Sequence, residues 1–236
     1  MITFKNVTVK YDKNYALKEF STTINDGEFV FLVGATGAGK TTIVKLLTRE
    51  LIPNLGQIIV FNNRLLDIKN SKVPYYRRNL GIIFQDFKLL SDRNVYENVA
   101  FAQEVIGVNK QIIKKHVMQV LNIVGIRNKS QKKISELSGG ERQKVAIARA
   151  IVNKPKIIIA DEPTGNLDEI STNEIIDILM NINNMGTTVL MITHDLHLVS
   201  RMNKRVIRIH QGELVSDTIG LDDKLKLLLK NNEYLE

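Results

Sequence analysis

The fold is decided by one stretch near the start of the chain: Phe29-Val30-Phe31-Leu32-Val33-Gly34-Ala35-Thr36-Gly37-Ala38-Gly39-Lys40-Thr41-Thr42. Its opening residues are apolar at every position, as in a strand that is buried on both faces of a mostly parallel sheet. A glycine-rich turn follows, and the spacing of apolar residues from Ile43 to Leu51 then predicts a helix. A buried strand, a turn and a helix in this order predict a parallel α/β core.

The turn also has the chemistry of a phosphate site, because Gly34 to Thr41 fits the pattern G-x-x-x-x-G-K-[ST]. Glycines let backbone N–H groups converge on a phosphate, and the positive end of the helix dipole adds to the attraction. Lys40 suits the β- and γ-phosphates, the Thr41 hydroxyl suits Mg²⁺, and Thr42 can add a contact to phosphate. Nucleotide binding is therefore predicted, but kinases, GTPases, helicases and transport ATPases share this loop.

Further segments extend the α/β pattern in both directions along the chain. Continuous apolar runs at 157–160 and 189–192 predict buried strands, and an amphipathic helix lies between them. Before the phosphate loop, apolar and polar residues alternate from Ile2 to Tyr11, and a second stretch ends at the turn Asn25-Asp26-Gly27. This alternation predicts antiparallel strands.

The middle and the end of the chain have helical patterns. Apolar residues recur at helical spacing between 92 and 153, which predicts a helical subdomain inserted into a core of 1–91 and 154–220. Residues 221–236, with Leu225, Leu228, Leu229 and Leu235, predict a short amphipathic C-terminal helix. The expected fold is thus a single domain: a mostly parallel α/β nucleotide-binding core, an antiparallel β part and the inserted helices.

Composition excludes several kinds of site. The 236 residues include no cysteine, so disulfides, thiolate zinc sites and thiol nucleophiles are excluded, and a reducing cytoplasm is the simplest setting. Neither a signal-peptide pattern nor an apolar stretch of membrane-spanning length is present, so we expect a soluble chain. The formal charge of +8 suits phosphate ligands, nucleic acid or an anionic membrane face, or is only a solvated basic surface, since the basic residues form no long block.

Polar side chains follow three of the predicted strands. Asp161 and Glu162 end one strand, where Asp161 can hold Mg²⁺ through its water shell and Glu162 can polarise an attacking water as general base. His194 follows the strand 188–193 and could sense a γ-phosphate, and Gln85 follows the strand 81–84, from which its amide could reach a metal. A structural or surface role is the alternative for each, and it is our interpretation of the remaining three histidines, His116, His197 and His210.

The segment Leu137-Ser138-Gly139-Gly140-Glu141-Arg142-Gln143 resembles the signature motif of the ABC ATPases. The resemblance implies that Ser138, Gly139 and Gly140 bind the γ-phosphate of ATP held by the opposite subunit. Locally the motif also fits a helix cap, with Ser138 as N-cap and Glu141 three residues on.

Other elements of the ABC family occur in order along the chain. The resemblance implies that Tyr11 stacks on adenine and that Gln85, in the Q-loop, binds the metal together with Thr41 and Asp161. It also places Asp168 in the D-loop Gly165–Asp168. His194 corresponds to the switch histidine, and it is expected to be catalytic together with Glu162 and Lys40. The resemblance implies a homodimer that closes head to tail around two ATP molecules with Mg²⁺ and separates after hydrolysis.

Within the family, the stretch from Phe84 to Phe101 is similar to the ATP-binding subunits that act in cell division. This similarity implies an integral membrane partner that docks near Gln85 and the helical subdomain, holds the chain at the cytoplasmic face of the cell membrane, and controls peptidoglycan hydrolases outside the cell. ATPases of lipoprotein release and macrolide export share much of this stretch, so transport is the alternative function.

Two other classes are less well supported by the sequence. The first is a different enzyme with a phosphate loop, such as a GTPase or a small-molecule kinase. A GTPase would carry an N-K-x-D motif, and none of the Asn-Lys pairs is followed by x-Asp. ABC proteins that act on nucleic acid or ribosomes usually have two cassettes or a coiled-coil insertion, and this chain has neither. No nucleic-acid partner is therefore expected.

Overall fold

The computed structural model describes residues 1–12 and 14–231. Its strands are β1 (Ile2–Tyr11), β2 (Asn14–Ile24), β3 (Phe29–Val33), β4 (Leu55–Val60), β5 (Asn63–Arg64), β6 (Leu80–Ile83), β7 (Ile157–Asp161), β8 (Thr188–Ile192), β9 (Arg205–His210) and β10 (Glu213–Ile219). Its α-helices are α1 (Lys40–Leu47), α2 (Val73–Arg77), α3 (Val95–Glu104), α4 (Lys110–Ile123), α5 (Gly139–Ile151), α6 (Glu169–Asn184), α7 (Leu196–Met202) and α8 (Asp223–Lys230).

These elements form two compact units. The first consists of residues 1–77 with the described residues from Thr188 onward, and the second of Arg78–Thr187. The predicted helical subdomain of 92–153 lies within the second unit, and its bounds and those of the predicted core stay a prediction.

A mostly parallel sheet forms the centre of the first unit, in the order β10-β9-β3-β8, with β10 antiparallel to β9 and the other pairs parallel. Strand β3 runs parallel to β8 on one side, with Leu32 opposite Ile192, and parallel to β9 on the other. Every residue of β3 and of β8 is buried. The continuous apolar runs are thus confirmed as strands covered on both faces, because a run without polar positions has no face that suits water.

An antiparallel sheet completes the first unit, in the order β2-β1-β4-β5. Strand β1 pairs with β2 and with β4, and the rings of Phe4 and Phe20 meet edge to face with centroids 5.3 Å apart. The predicted antiparallel strands are confirmed, and the apolar residues of β1 from Ile2 to Val9 are buried. Thr3 and Thr8 are buried as well, and the pairing with β2 shifts register after Phe4.

Helix α1 is shorter than its apolar spacing predicts. It ends at Leu47, and Leu51 lies beyond it. The backbone of Arg49 is left-handed, with φ of 60°, and its Nε donates to the carbonyl of Leu65 over 2.9 Å. A left-handed residue just after the last turn ends a helix, so the apolar pattern continues past a helix that has already stopped.

The second unit combines a parallel strand pair with four helices. Strands β6 and β7 pair in parallel, with Ile83 opposite Ala160. Helices α3, α4 and α5 follow one another in the chain, and each buries one apolar stripe. The predicted run of helices between 92 and 153 is confirmed, and with it the expected α/β fold with an antiparallel sheet.

The C-terminal helix of the first unit is α8. Asp222 caps it by accepting from Leu225 N over 2.8 Å, and the Leu225 side chain is fully buried. The predicted helix extends to Glu236, and Leu235 lies outside the described residues. Across residues 1–12 and 14–231, none of the helices has the length and apolar character that a bilayer span requires.

Candidate active site

The phosphate loop of the first unit depends on glycine at two positions. Gly37 and Gly39 have φ of 81° and 108°, a backbone that side chains rarely adopt. A Cβ at Gly39 would lie 2.4 Å from the carbonyl oxygen of Ala16 in β2. The close approach of β2 and the left-handed turn together exclude any larger residue at Gly39.

The start of α1 differs from that of the other α-helices whose caps are described. Gly39 offers no side-chain cap to α1, whereas a side-chain oxygen caps each of α3 to α8. A helix start needs acceptors for its first N–H groups, and an anion supplies them as well as a cap does. The loop therefore fits a phosphate group by its backbone alone.

Lys40 reaches back over the loop that precedes it. Its Nζ donates to the carbonyl oxygens of Gly34 and of Ala35, the latter over 2.8 Å, and the side chain is half-buried. Thr41 is exposed and Thr42 is buried. The ammonium group thus already lies on the loop, although its contact with a nucleotide stays a prediction.

His194 and Tyr11 belong to the same unit as the phosphate loop. Leu32 pairs with Ile192, and Thr193 N donates to Leu32 O over 3.3 Å, so the next residue, the exposed His194, emerges level with Gly34. Tyr11 ends β1 opposite Asn14, with 45% of its surface exposed, in the hairpin whose second strand contacts Gly39. Both residues therefore lie on elements that border the loop.

In the second unit, one edge of the β6–β7 pair collects the predicted polar residues. Because Ile83 pairs with Ala160, the continuing chains bring Gln85 level with Glu162, just beyond Asp161. A Cβ at Gly165 would lie 3.4 Å from Gln85 Nε2 and 3.8 Å from Glu162 Cβ. The amide, the glutamate and the start of the D-loop are therefore neighbours.

The backbone of Glu162 is left-handed, with φ of 47°. This conformation costs a non-glycine residue about 1 kcal/mol, and such residues cluster at functional sites. The carbonyl oxygen of Glu162 accepts a hydrogen bond from Gly165 N over 3.2 Å. This bond closes the turn by which the chain leaves the strand.

The start of α5 is a capping box, as its sequence predicts. Ser138 Oγ accepts from Glu141 N over 3.3 Å, and Ser138 N donates to the Glu141 carboxylate over 3.1 Å. The hydrogen bond from Lys129, followed by that from Ser138 N, lowers the pKa of Glu141 and keeps it ionised. The cap is confirmed, and the binding of a γ-phosphate here stays a prediction.

Small residues bring the D-loop against this helix start. A Cβ at Gly140 would lie 2.8 Å from Ser171 Oγ in α6, and one at Gly139 would lie 3.4 Å from Leu167 Cδ2. Asp168 caps α6 by accepting from Ser171 N over 2.8 Å, and this bond, with that from Ser171 Oγ, lowers the pKa of Asp168. The signature and the D-loop are thus one packed pair of helix starts.

Sequence reasoning missed the group that holds the Q-loop. Phe87 and Lys88 are both left-handed, and their carbonyl oxygens accept from Arg149 of α5, over 2.8 Å and 2.5 Å. The Arg142 guanidinium lies 5.7 Å from the centre of the Phe87 ring. The one signal in the sequence is that Arg149 interrupts the apolar pattern of a helix. In the structure, burial lowers the pKa of the Arg149 guanidinium.

The predicted site residues thus fall into three groups. The first group lies in the first unit and consists of Gly34 to Thr42, Tyr11 and His194. The other two lie in the second unit: one is Gln85, Asp161 and Glu162, and the other is Ser138, Gly139, Gly140 and Asp168. Within residues 1–12 and 14–231, no cluster of three or more His, Asp and Glu side chains could hold a metal alone.

The chain matches one family in the comparison with known domains. The family model described as "ABC transporter" matches residues 17–165, well over half of the chain. The match contains the phosphate loop, the signature and both carboxylates at the end of β7.

Curated relatives of similar length are named cell division ATP-binding protein FtsE. That of Bacillus subtilis is 49% identical over 218 residues, covering 92% of this chain and 96% of the relative. Those of Mycobacterium tuberculosis and Escherichia coli K12 are 46% and 41% identical, covering 92% and 91% of this chain and 95% and 97% of the relatives.

Solved structures with the same fold are ABC cassettes. The dimeric ATP-binding cassette MJ0796, described as a post-hydrolysis state bound to ADP and Pi, is 31% identical with a TM-score of 0.82, over 93% of this chain and 98% of that one. The cassette cbiO1 of Clostridium perfringens is 29% identical with a TM-score of 0.87, over 98% and 91%. The chain therefore belongs to the ABC transporter family, as an FtsE-like ATPase subunit.

Proposed function

We propose that two copies of this chain close head to tail around two molecules of ATP and that hydrolysis lets them separate. The observation that carries the proposal is the bare start of α1, where the first N–H groups behind Gly39 have no side-chain cap and suit a phosphate. A dimeric relative bound to ADP and Pi supports the same reading. ATP then acts as the bridge between the two copies.

The phosphate loop grips the triphosphate in this proposal. The backbone from Gly34 to Gly39 surrounds the β-phosphate, Lys40 turns from the loop carbonyls to the β- and γ-phosphates, and Thr42 adds a hydroxyl. Thr41, Gln85 and Asp161 supply oxygen ligands for Mg²⁺, Asp161 through water. A magnesium ion held by these residues would neutralise the charge that develops on the phosphate oxygens.

Glu162 acts as the general base in this proposal. Its carboxylate takes the proton of the attacking water, and the left-handed backbone holds that carboxylate at the end of β7. His194 contacts the γ-phosphate from the end of β8, Asp168 contacts the site from the D-loop, and the Tyr11 ring stacks on adenine. The family to which the chain belongs supports these roles.

The second half of each site comes from the other copy. Ser138, Gly139 and Gly140 bind the γ-phosphate of ATP held by the partner copy, with the N–H groups at the start of α5 as donors. Because Ser138 Oγ already accepts from Glu141 N, its hydroxyl hydrogen remains available to donate to that phosphate. The capping box and the anion site are therefore compatible.

We further propose that the dimer drives an FtsX-like integral membrane partner that controls peptidoglycan hydrolases in cell division. The partner docks near Gln85 and the helices of the second unit, and it keeps the chain at the cytoplasmic face of the membrane. Relatives that are 41% to 49% identical and bear the cell-division name support this role.

Two measurements test the proposal. Nucleotide-dependent dimerisation is followed by light scattering, and the membrane partner is identified by co-purification from a detergent extract. We expect dimers with ATP and a partner with a few membrane spans and a large extracellular domain. A chain that stays monomeric with ATP would refute the composite site, and a large helical transporter as partner would refute the division role.

A further inference from the structure

The positive charge of the chain is concentrated in one segment, residues 105–135. This segment holds seven of the 33 basic residues and none of the 25 acidic ones. In the rest of the chain, 26 basic residues nearly balance all 25 acidic residues, so the segment accounts for most of the formal charge of +8. The basic residues, which form no long block in the sequence, are therefore unevenly distributed.

The segment forms α4 and the turns after it in the second unit. Lys114, Lys115, Met118, Ile123 and Arg127 line one shallow depression on the side of α4 that faces solvent, and we call these residues the basic face. The three cations of the basic face are exposed. They therefore share one surface, although Arg127 is distant from the two lysines in sequence.

The fold does not use the basic face. The opposite side of α4 packs in the core through Ile113, Val117, Val120 and Leu121. In the part of the chain that the structure describes, Lys129 and Lys132 pair with Glu141 and Glu136, whereas no ion pair joins Lys114, Lys115 or Arg127 to an acid. The charge of the basic face is thus available to a partner.

Apolar side chains lie among these cations. In the same depression Ile123 is 37% exposed and Met118 is half-buried, and Ile112 of the same helix, outside the depression, is 47% exposed. Long lysine and arginine side chains with exposed apolar neighbours suit the boundary between lipid headgroups and acyl chains, where stems are buried and charges reach the phosphates. Residues 105–135 include no Phe, Tyr or Trp on which a base could stack, so nucleic acid is the poorer fit.

We propose that the basic face binds the headgroups of anionic phospholipids and so orients the ATPase on the membrane beside its partner. The inference rests on the proposed function, which brings the chain to the membrane. Each Lys or Arg near an anionic surface strengthens binding about five-fold. The basic face then supplies an attachment to the membrane that does not depend on the partner protein.

The test is co-sedimentation of the full chain, without its partner, with vesicles of phosphatidylcholine containing about a third phosphatidylglycerol. We expect binding that weakens with added salt and is absent with pure phosphatidylcholine vesicles. The double variant Lys114→Glu and Lys115→Glu should bind at least about 20-fold more weakly. The matched control is Lys69→Glu with Lys224→Glu, which removes the same charge from exposed lysines of the first unit.

Equal loss of binding in the control, or equal binding by both variants, would overturn the proposal. The proposal would also be overturned if the wild-type chain did not bind anionic vesicles, whether or not it bound duplex DNA through Lys114 and Lys115. ATP hydrolysis measured on the same preparations reports separately on the nucleotide site. A chain that binds vesicles but fails to hydrolyse ATP would refute the proposed function and leave the basic face in place.

Discussion

Glu162 lies where a buried strand of the second unit ends and the turn toward the D-loop begins. It follows directly on a buried parallel strand, and its backbone is left-handed with φ of 47°. Left-handed residues other than glycine cluster at functional sites, which agrees with a functional role for this carboxylate. Its neighbours Gln85 and Gly165 lie at the same edge.

Replacing Glu162 by Gln separates binding from chemistry. The amide keeps the size of the side chain but cannot take a proton, so we expect hydrolysis to fall at least about 100-fold. ATP affinity should change less than about three-fold, and the dimer should persist with ATP. Hydrolysis, nucleotide binding and light scattering are measured, with Asp177→Asn on the exposed side of α6 as control. Normal turnover by the Gln variant would contradict the assignment.

Helix α5 carries two different tasks along its length. Its first residues form the capping box of Ser138 and Glu141, and further along Arg149 holds the Q-loop by two carbonyl oxygens. The two tasks therefore lie on one continuous helix. The capping residue Ser138 and the loop-binding residue Arg149 can therefore be tested by separate substitutions.

Two substitutions at Ser138 separate capping from anion binding. Aspartate and asparagine both cap helices as well as serine does, so we expect both variants to keep the wild-type melting temperature. The aspartate charge would repel the triphosphate, and ATP-dependent dimerisation should weaken at least about 30-fold relative to Ser138→Asn. Equal dimerisation by the two variants, measured by analytical ultracentrifugation, would show that no phosphate approaches this helix start.

Removing the Arg149 side chain should release the Q-loop. Arg149→Ala leaves the carbonyls of Phe87 and Lys88 without their donor, so we expect the free energy of unfolding to fall by about 2 kcal/mol. Hydrolysis should fall more than nucleotide affinity does, because Gln85 lies on this loop. Arg149→Lys can reach only one carbonyl at a time, so its free energy of unfolding and its hydrolysis rate should lie between those of the wild type and Arg149→Ala. Urea unfolding and steady-state kinetics measure both effects.

At the scale of the whole molecule, one guanidinium joins distant parts of the chain within the first unit. Arg205 of β9 donates to Asp217 of β10 over 2.7 Å, to Thr23 O of β2 over 2.8 Å and to Glu28 over 3.0 Å. Burial works to raise the pKa of Asp217, but the hydrogen bonds from Arg205 and Thr22 outweigh it, so the pKa lies below its ordinary value.

This network predicts how stability depends on pH. A carboxyl group with a lowered pKa in the folded state stabilises the protein fully above its unfolded pKa of about 4, and that stabilisation is lost as the pH falls through the folded value. We expect the free energy of unfolding, measured in urea, to fall below about pH 4. Asp217→Asn should flatten this fall, and Asp92→Asn, an exposed control, should not. An unchanged acid response would contradict the role of Asp217.

Much of the fold follows from local patterns. The apolar runs that became β3, β7 and β8 and the alternation that became β1 are features of neighbouring residues, so sequence alone predicts them. The end of α1 was not predicted, because the left-handed Arg49 is bound to Leu65 O, which is far along the chain. Arg149 was missed for the same reason, since its acceptors lie on a distant loop.

Local patterns were enough to predict the phosphate loop, the strand ends that carry Glu162 and His194, the capping box at Ser138 and the family. Each of these is set by residues within a few positions of one another, through glycine conformation, strand periodicity and capping. Three other features depend on the folded chain: Gly140 packs on Ser171, Arg149 holds the Q-loop, and Lys114, Lys115 and Arg127 share one face. These contacts join residues far apart in the chain, and spacing along a sequence carries no distance between such residues.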